Sequence, residues 1–217
     1  MPYYHIILLR SHTKPIIMRI LLFLLLISCN NAPTAQVAPT VHKDFYGKLS
    51  DAALLITHDN VTYDPTYYQI TYPNGDVPAN RGVCTDVLIR SYRKLGIDLQ
   101  KEVHEDMAAN FTKYPKSWGL KTTDTNIDHR RVPNLQVFFT RKGEVKTVSD
   151  KAADYKPGDI VTWMLVGNKP HIGIVVDKKN ASGSRYLMVH NIGGGQVAQD
   201  CLFSYKITGH YRYKNKY

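Results

Sequence analysis

Apolar residues keep three different rhythms along the chain. Residues 20–27 form one unbroken run, Ile20-Leu21-Leu22-Phe23-Leu24-Leu25-Leu26-Ile27. From Asp44 the spacing turns helical: Phe45, Leu49, Ala52, Ala53, Leu55 and Ile56 recur at three- and four-residue steps, one face of a helix. Residues 58–83 lose that period. They hold Tyr63, Tyr67, Tyr68 and Tyr72, broken by prolines and Asn74-Gly75, as a structured loop or short hairpin does. A second helical pattern starts at Cys84, runs through Val87, Leu88, Ser91, Tyr92 and Leu95, and stops at Gly96. A third helix is predicted over Leu99–Phe111 and a fourth over Pro133–Thr140. The last third switches period. Asp159–Leu165, His171–Asp177, Tyr186–Asn191 and Lys206–Tyr213 are short runs rich in Val, Ile and aromatics, separated by Gly, Asn, Lys and Pro. Helices first and antiparallel strands afterwards predict an α+β domain, with N-terminal helices packed on a small antiparallel sheet.

The unbroken run is too short for a membrane span, which needs roughly 20 apolar residues. With Arg19 before it and Ser28-Cys29 after it, residues 1–28 read as a secretory signal. Leu26-Ile27-Ser28-Cys29 resembles the bacterial lipobox, whose Cys is lipidated and becomes the mature N-terminus. The other reading is an ordinary cleaved signal with Cys29 incidental. The start is either Met1, giving a long leader with Arg10, Lys14 and Arg19, or Met18, making residues 1–17 an upstream mis-start. Residues 29–43 are small, polar and without period, a tether between lipid and domain. Residues 44–217 then form one domain, exported and lipid-anchored in the bacterial envelope, touching the membrane through its N-terminal lipid only.

Composition narrows the partners. A 43% hydrophobic and 21% charged chain of 217 residues is a folded one, with room for one domain and a core. Its net charge of +10 becomes about +7 once the three cations of residues 1–28 are removed. Outside the cytoplasm such a surface attracts anionic envelope polymers. The chain has no helix-turn-helix, zinc-finger or aromatic-basic RNA signature, so no nucleic-acid partner is expected, and the domain is expected to be a monomer. Three Cys are too few for a disulfide scaffold or a structural zinc site, so each needs its own account.

Cys84 stands where a Gly-containing loop turns into a helix. First-turn N–H groups and the helix dipole favour a thiolate there, the nucleophilic form, while Asp86 in the same turn opposes it. The plainer reading is a buried Cys sharing a helical face with Leu88, Ser91 and Leu95. A nucleophile needs a base and the base an orienter. His171 begins an alternating run in which His171, Gly173 and Val175 share one face, with Gly173 leaving space beside the imidazole. The next strand ends in His190-Asn191. If the two strands pair, His190 comes close to His171 and fixes its tautomer.

Gly82-Val83-Cys84-Thr85-Asp86, Pro157-Gly158-Asp159-Ile160-Val161, His171-Ile172-Gly173-Ile174-Val175 and Val189-His190 occur in the order seen in NlpC-type cell-wall peptidases, which resemble a minimal papain fold. A closer resemblance is to the bacterial family called domain of unknown function 1287. Its signatures are similar to Arg81–Val87, Val103-His104-Glu105-Asp106-Met107, Asn126–Asn134 and Gly209-His210-Tyr211-Arg212, and together these span nearly all of residues 45–215. The resemblance implies Cys84 as nucleophile, His171 as base and His190 as orienter. It also implies Tyr72, twelve residues before the Cys, as a residue that helps hold the oxyanion beside the Cys84 N–H. The implied activity is thiol hydrolysis of amide bonds in peptidoglycan stem peptides, with no metal or organic cofactor. A non-catalytic glycan- or peptide-binding module and a thiol acyltransferase are the alternatives.

Between Cys84 and Pro157 the chain carries an extra helical segment with His104, Trp118 and His129. Arg130 and Arg131 suit a clamp on an acidic stem-peptide carboxylate, or, with Asp128 before Pro133, a charged cap on a short helix. The expected substrate contacts are Asp86, Trp118, His129, Arg130, Arg131 and Asn191. His104-Glu105-Asp106 and Asp128-His129 offer metal-type ligands, but no HExxH or comparable spacing supports a metal site. Cys201 is expected to be a small buried residue; a disulfide with Cys84 would end the catalytic reading. The Tyr63–Tyr72 cluster either stacks on sugar rings or simply packs.

Overall fold

The computed structural model describes residues 43–215; the predicted signal, Cys29 and the tether up to residue 42 lie outside the described residues. Four α-helices come first: α1 (Phe45–Leu55), α2 (Cys84–Arg93), α3 (Leu99–Ala109) and α4 (Val132–Lys142). Two short strands, β1 (Thr62–Tyr63) and β2 (Arg81–Gly82), pair in parallel just ahead of α2. Then follow β3 (Glu144–Val145), β4 (Ile160–Leu165), β5 (Lys169–Lys179), β6 (Tyr186–His190), β7 (Val197–Gln199) and β8 (Lys206–Arg212). These six form an antiparallel sheet in the order β3-β8-β4-β5-β6-β7. The predicted α+β class is the observed one. Among the described residues no helix is long and apolar enough to cross a membrane.

Local chemistry sets the helix ends. Asp44 caps α1 by accepting the Gly47 N–H at 2.8 Å, and Asp98 caps α3 by accepting from Gln100 at 3.0 Å. Pro133 stands in the first turn of α4, where its missing N–H costs nothing. The chain leaves α2 through Gly96, whose φ of +78° suits glycine.

The alternation read from the sequence divides the sheet into two buried faces. Ile160, Ile172, Ile174, Val176 and Val189 pack under Leu49 and Ala53 of α1, Val87 and Leu88 of α2, and Leu135, Phe138 and Phe139 of α4. Val161, Trp163, Val175 and Met188 face the other way, onto Tyr155, Cys201 and Leu202. Burial on both faces is why these strands read as near-continuous apolar runs. It also places the strand histidines in a dry environment.

Candidate active site

Cys84 opens α2, and the turn before it is tightly fixed. β1 pairs with β2 so that Tyr63 stands opposite Gly82, and the Asp86 carboxylate reaches back to the Val83 N–H at 2.7 Å. The sulfur then meets β5 at one point. Val175 exchanges its backbone bonds with the β4 side, through Asp159 and Gly158, so by alternation Ile172 turns its N–H toward β6. The registered pairing of β5 with β6 starts only at Ile174 with Val189. The Ile172 N–H is therefore left over and faces Cys84 Sγ, and with the N–H groups of Thr85 and Cys84 it favours negative charge on the sulfur.

Those three donors do not make a thiolate. Cys84 is only 6% exposed. Burial pushes its thiol up to about 12, with Asp86 adding to the shift, against the pull of the Ile172, Thr85 and Cys84 N–H groups. The expectation that the helix start holds a thiolate is thus corrected: lost hydration outweighs the dipole. His171, on the strand residue preceding Ile172, is pushed down to about 3 by burial and then by its neighbour His190. Thiol and imidazole are thus both neutral at rest, and no hydrogen bond joins them among the described residues.

The two histidines predicted to meet do so, with His171 Nε2 2.9 Å from His190 Nδ1 and the rings edge to face. Gly173 is what lets them approach. A Cβ there would stand 2.9 Å from the Val189 carbonyl oxygen and 3.1 Å from His190 Cβ, so the space beside the imidazole is already taken by its partner. His190 Nε2 faces the Gln199 side-chain oxygen at 3.1 Å and Cys201 Sγ at 3.4 Å. An amide oxygen only accepts, so His190 carries its proton on Nε2 and offers the Nδ1 lone pair to an Nε2–H of His171. That leaves the His171 Nδ1 lone pair as its basic site. Burial also lowers the His190 pKa, against the raising effect of Gln199, which keeps the ring in this neutral form. Cys84 and Cys201 are both free and buried, with no disulfide between them.

Sequence reasoning missed Gln199 and Tyr63, and set Cys201 aside as a buried small residue without its contact to His190. Tyr72, expected near the oxyanion, is not brought to Cys84. Its ring lies against His104, 5.1 Å between centres, and its electrostatic neighbours are Glu105 on α3 and Asp98, which caps α3. Tyr63, which pairs opposite Gly82, is the tyrosine coupled electrostatically to the Cys84 region: burial raises its pKa first, a negative charge on Cys84 or Asp86 would raise it further, and Arg130 lowers it. Counting residues back from the Cys misplaces the phenol because residues 64–80 loop out between β1 and β2.

Asp86 and Arg130 are turned inward. Arg130 grips Asp86 at 3.0 and 3.1 Å and holds the carbonyls of Thr66 at 3.1 Å and Asp64 at 3.4 Å. Every donor it uses serves the chain itself. Asn191 is fully buried and holds the Gly82 carbonyl at 3.4 Å and the Gly193 N–H at 3.1 Å. His129 is buried, and burial followed by the charges of Arg130, Arg93 and His104 pushes it down to about 3. Arg131 lies over the Trp118 ring, 4.2 Å from its centre, and Trp118 is 45% exposed. Of the expected substrate contacts, Trp118 is the one that stands in solvent. The metal-type residues of the extra segment disperse: His104 goes to Asp128 at 3.0 Å, and Asp106 to Tyr114 and Arg141, each at 2.7 Å.

Known proteins place the chain. NlpC1 from Trichomonas vaginalis is a solved structure similar at 16% identity with a TM-score of 0.42, over 80% of this chain and 46% of that one, so this chain spans less than half its length. The "Uncharacterized protein YijF" of Escherichia coli (strain K12) is 50% identical over 165 residues, which cover 76% of this chain and 80% of that protein. The family profile described as "Domain of unknown function (DUF1287)" matches residues 50–213. With that profile running from α1 to the end of β8 and half of the aligned residues shared with YijF, the chain belongs to the DUF1287 family.

Proposed function

We propose that this protein is a thiol hydrolase that cleaves amide bonds in the stem peptides of peptidoglycan. The observation that supports the reading is the pairing of His171 with His190 and Gln199, on the strand whose Ile172 N–H faces Cys84 Sγ; among the described residues Cys84 and His171 share no hydrogen bond. Substrate binding displaces water and presents a carbonyl carbon to Sγ. His171 Nδ1 takes the thiol proton as the S–C bond forms, so the nucleophile is generated at the moment of attack rather than stored as a thiolate. Negative charge on the carbonyl oxygen is met by the Cys84 N–H and the Tyr63 hydroxyl. The imidazolium returns its proton to the leaving amine as the C–N bond breaks, which leaves a thioester on Cys84. Water then attacks with His171 again as base, releasing the carboxylic acid and restoring the thiol.

The cell-wall substrate is supported by the export signal and lipobox-like Cys29 read from the sequence, and by the charge of about +7 on the remaining chain. In this reading the domain is held by lipid at the periplasmic face of the membrane. One observation favours a binding module instead: the thiol is almost wholly covered. Incubating purified peptidoglycan with the wild type, Cys84→Ala and His171→Ala, and analysing the products, separates the readings. New free amines from the wild type alone support hydrolysis, and a new amide in their place identifies an acyltransferase. Identical product profiles with and without Cys84 sink the catalytic reading.

A further inference from the structure

Three aromatic rings stand in solvent on the segments flanking α3: Tyr67 is 53% exposed, Trp118 45% and Tyr72 39%. None of them hangs free. The Tyr67 hydroxyl donates to Asp124 at 3.1 Å and accepts from the Asn126 amide at 2.8 Å. Tyr72 packs edge-on against His104, and Arg131 lies over the Trp118 ring. Three wet rings, each pinned by a polar partner, are pre-organised faces, and their ordering entropy is spent before any ligand arrives.

His104 is pinned in turn. Its Nδ1–H donates to Asp128, whose carboxylate is fully buried and also accepts the Asp124 N–H at 2.8 Å. The remaining Asp128 oxygen has no partner among the described residues. Burying a carboxylate is costly, and this one fixes the imidazole of His104, whose Nε2 has no partner among the described residues. His104 and Tyr67 line a shallow cavity of about 610 Å³ together with residues 119–125, Lys121, Thr123, Asp124 and Thr125 among them; Trp118 directly precedes this stretch, and Tyr72 packs on His104 beside it.

The mixture selects a ligand class. A pyranose has flat C–H faces that lie on aromatic rings and a rim of hydroxyls that both donate and accept. The imidazole nitrogen of His104 donates or accepts and the carboxylate accepts, while the Lys121 ammonium and the threonine hydroxyls donate. A phosphate ligand would ask for several cations, but the cavity lining has one Lys and also one Asp. Peptide addition would ask for an open strand edge, and residues 119–125 form no strand. The loop bearing Tyr67 and Tyr72 is also tied to the thiol site, since Arg130 holds the Asp64 and Thr66 carbonyls and the Asp86 of α2 together.

We propose that Tyr67, Tyr72 and Trp118, with His104 held by Asp128, form a saccharide-binding groove that holds a glycan strand while its attached peptide reaches Cys84. Binding here does not depend on Cys84 chemistry. The full-length chain carrying Cys84→Ala, which turns nothing over, is titrated by calorimetry with peptide-free strands of N-acetylated amino sugars. Saturable binding is expected. Tyr67→Ala and Trp118→Ala each weaken it ~10-fold by loss of a stacking face, and Tyr67→Phe, which keeps the ring, weakens it less. Circular dichroism on each variant checks that the fold is kept. Absence of binding to peptide-free strands overturns the proposal. So does binding indifferent to both alanine variants, or binding only of strands that carry peptides and only through the peptide. If the glycan binds as expected while the wild type releases no amine from peptidoglycan, the groove stands and the hydrolase reading falls.

Discussion

At the scale of the residue, Gln199 decides which nitrogen of His171 is basic. It acts through His190 and so is a positioning residue, 3.1 Å from His190 Nε2. Replacing it with Leu removes the acceptor that fixes the proton on Nε2. Cys201 Sγ, 3.4 Å from the same nitrogen, is a poorer substitute as an acceptor, because sulfur accepts weakly. Gln199→Leu is expected to lower kcat on peptidoglycan by roughly 10-fold with KM little changed, the size of one lost hydrogen bond. Gln199→Glu, which keeps an acceptor, restores most of it. Imidazole nitrogen shifts by NMR give a readout independent of turnover: His171 carries its proton on Nε2 in the wild type and populates both tautomers in Gln199→Leu. A variant that keeps the single tautomer and the full kcat shows that the relay is set elsewhere.

Among the elements, the start of α2 is the one on which the candidate site rests, and a buried ion pair anchors it. The Arg130 and Asp86 side chains are 1% and 3% exposed and make two contacts with one another. Breaking such a pair strands a charge away from water. Arg130→Met is therefore expected to cost about 3–5 kcal/mol in urea denaturation, and Asp86→Asn placed on top of it to recover part of that loss. A cost under about 1 kcal/mol for Arg130→Met would return Arg130 to the role of an exposed substrate clamp. The helices bearing Cys84 and His104 were legible because their apolar spacing is sustained over ten residues or more, and β5 and β6 because alternation marks them. β1, β2, β3 and β7 were not, since pairs of two or three residues carry no period. The same limit hid two site residues. Tyr63 is set opposite Gly82, two residues before Cys84, by the β1–β2 pairing, and Gln199 reaches His190 from β7, so both are placed by elements without a sequence signal. The meeting of His171 with His190 was legible because each stands at the end of a strand that alternation marks, and the two strands pair.

For the whole molecule, burial that stabilises the core, on the sheet and in the turn ahead of α4, makes it sensitive to acid. His129 and His171 are buried and pushed down to about 3, and burial lowers His190 too. In the unfolded chain each takes up a proton near its ordinary pKa of about 6.5, while the folded protein refuses it. The unfolded state therefore binds more protons throughout the window from about 6.5 down to 3, and stability must fall as pH falls through it. Each such histidine contributes about 1.4 kcal/mol per pH unit once the pH is well below 6.5. Asp128 and Glu102, raised mainly by burial, act in the opposite sense, but only once the pH nears the carboxylate range. Urea midpoints at pH 7, 6 and 5 are accordingly expected to drop progressively, with the steepest loss between 6 and 5. His129→Leu, which removes a ring whose Nδ1 has no partner among the described residues, should flatten that slope without touching the thiol site. A midpoint unchanged from pH 7 to 5 would mean that these imidazoles accept protons in the folded state. His171 would then hold a charge at rest, and the neutral pair from which the proposed attack begins would not exist.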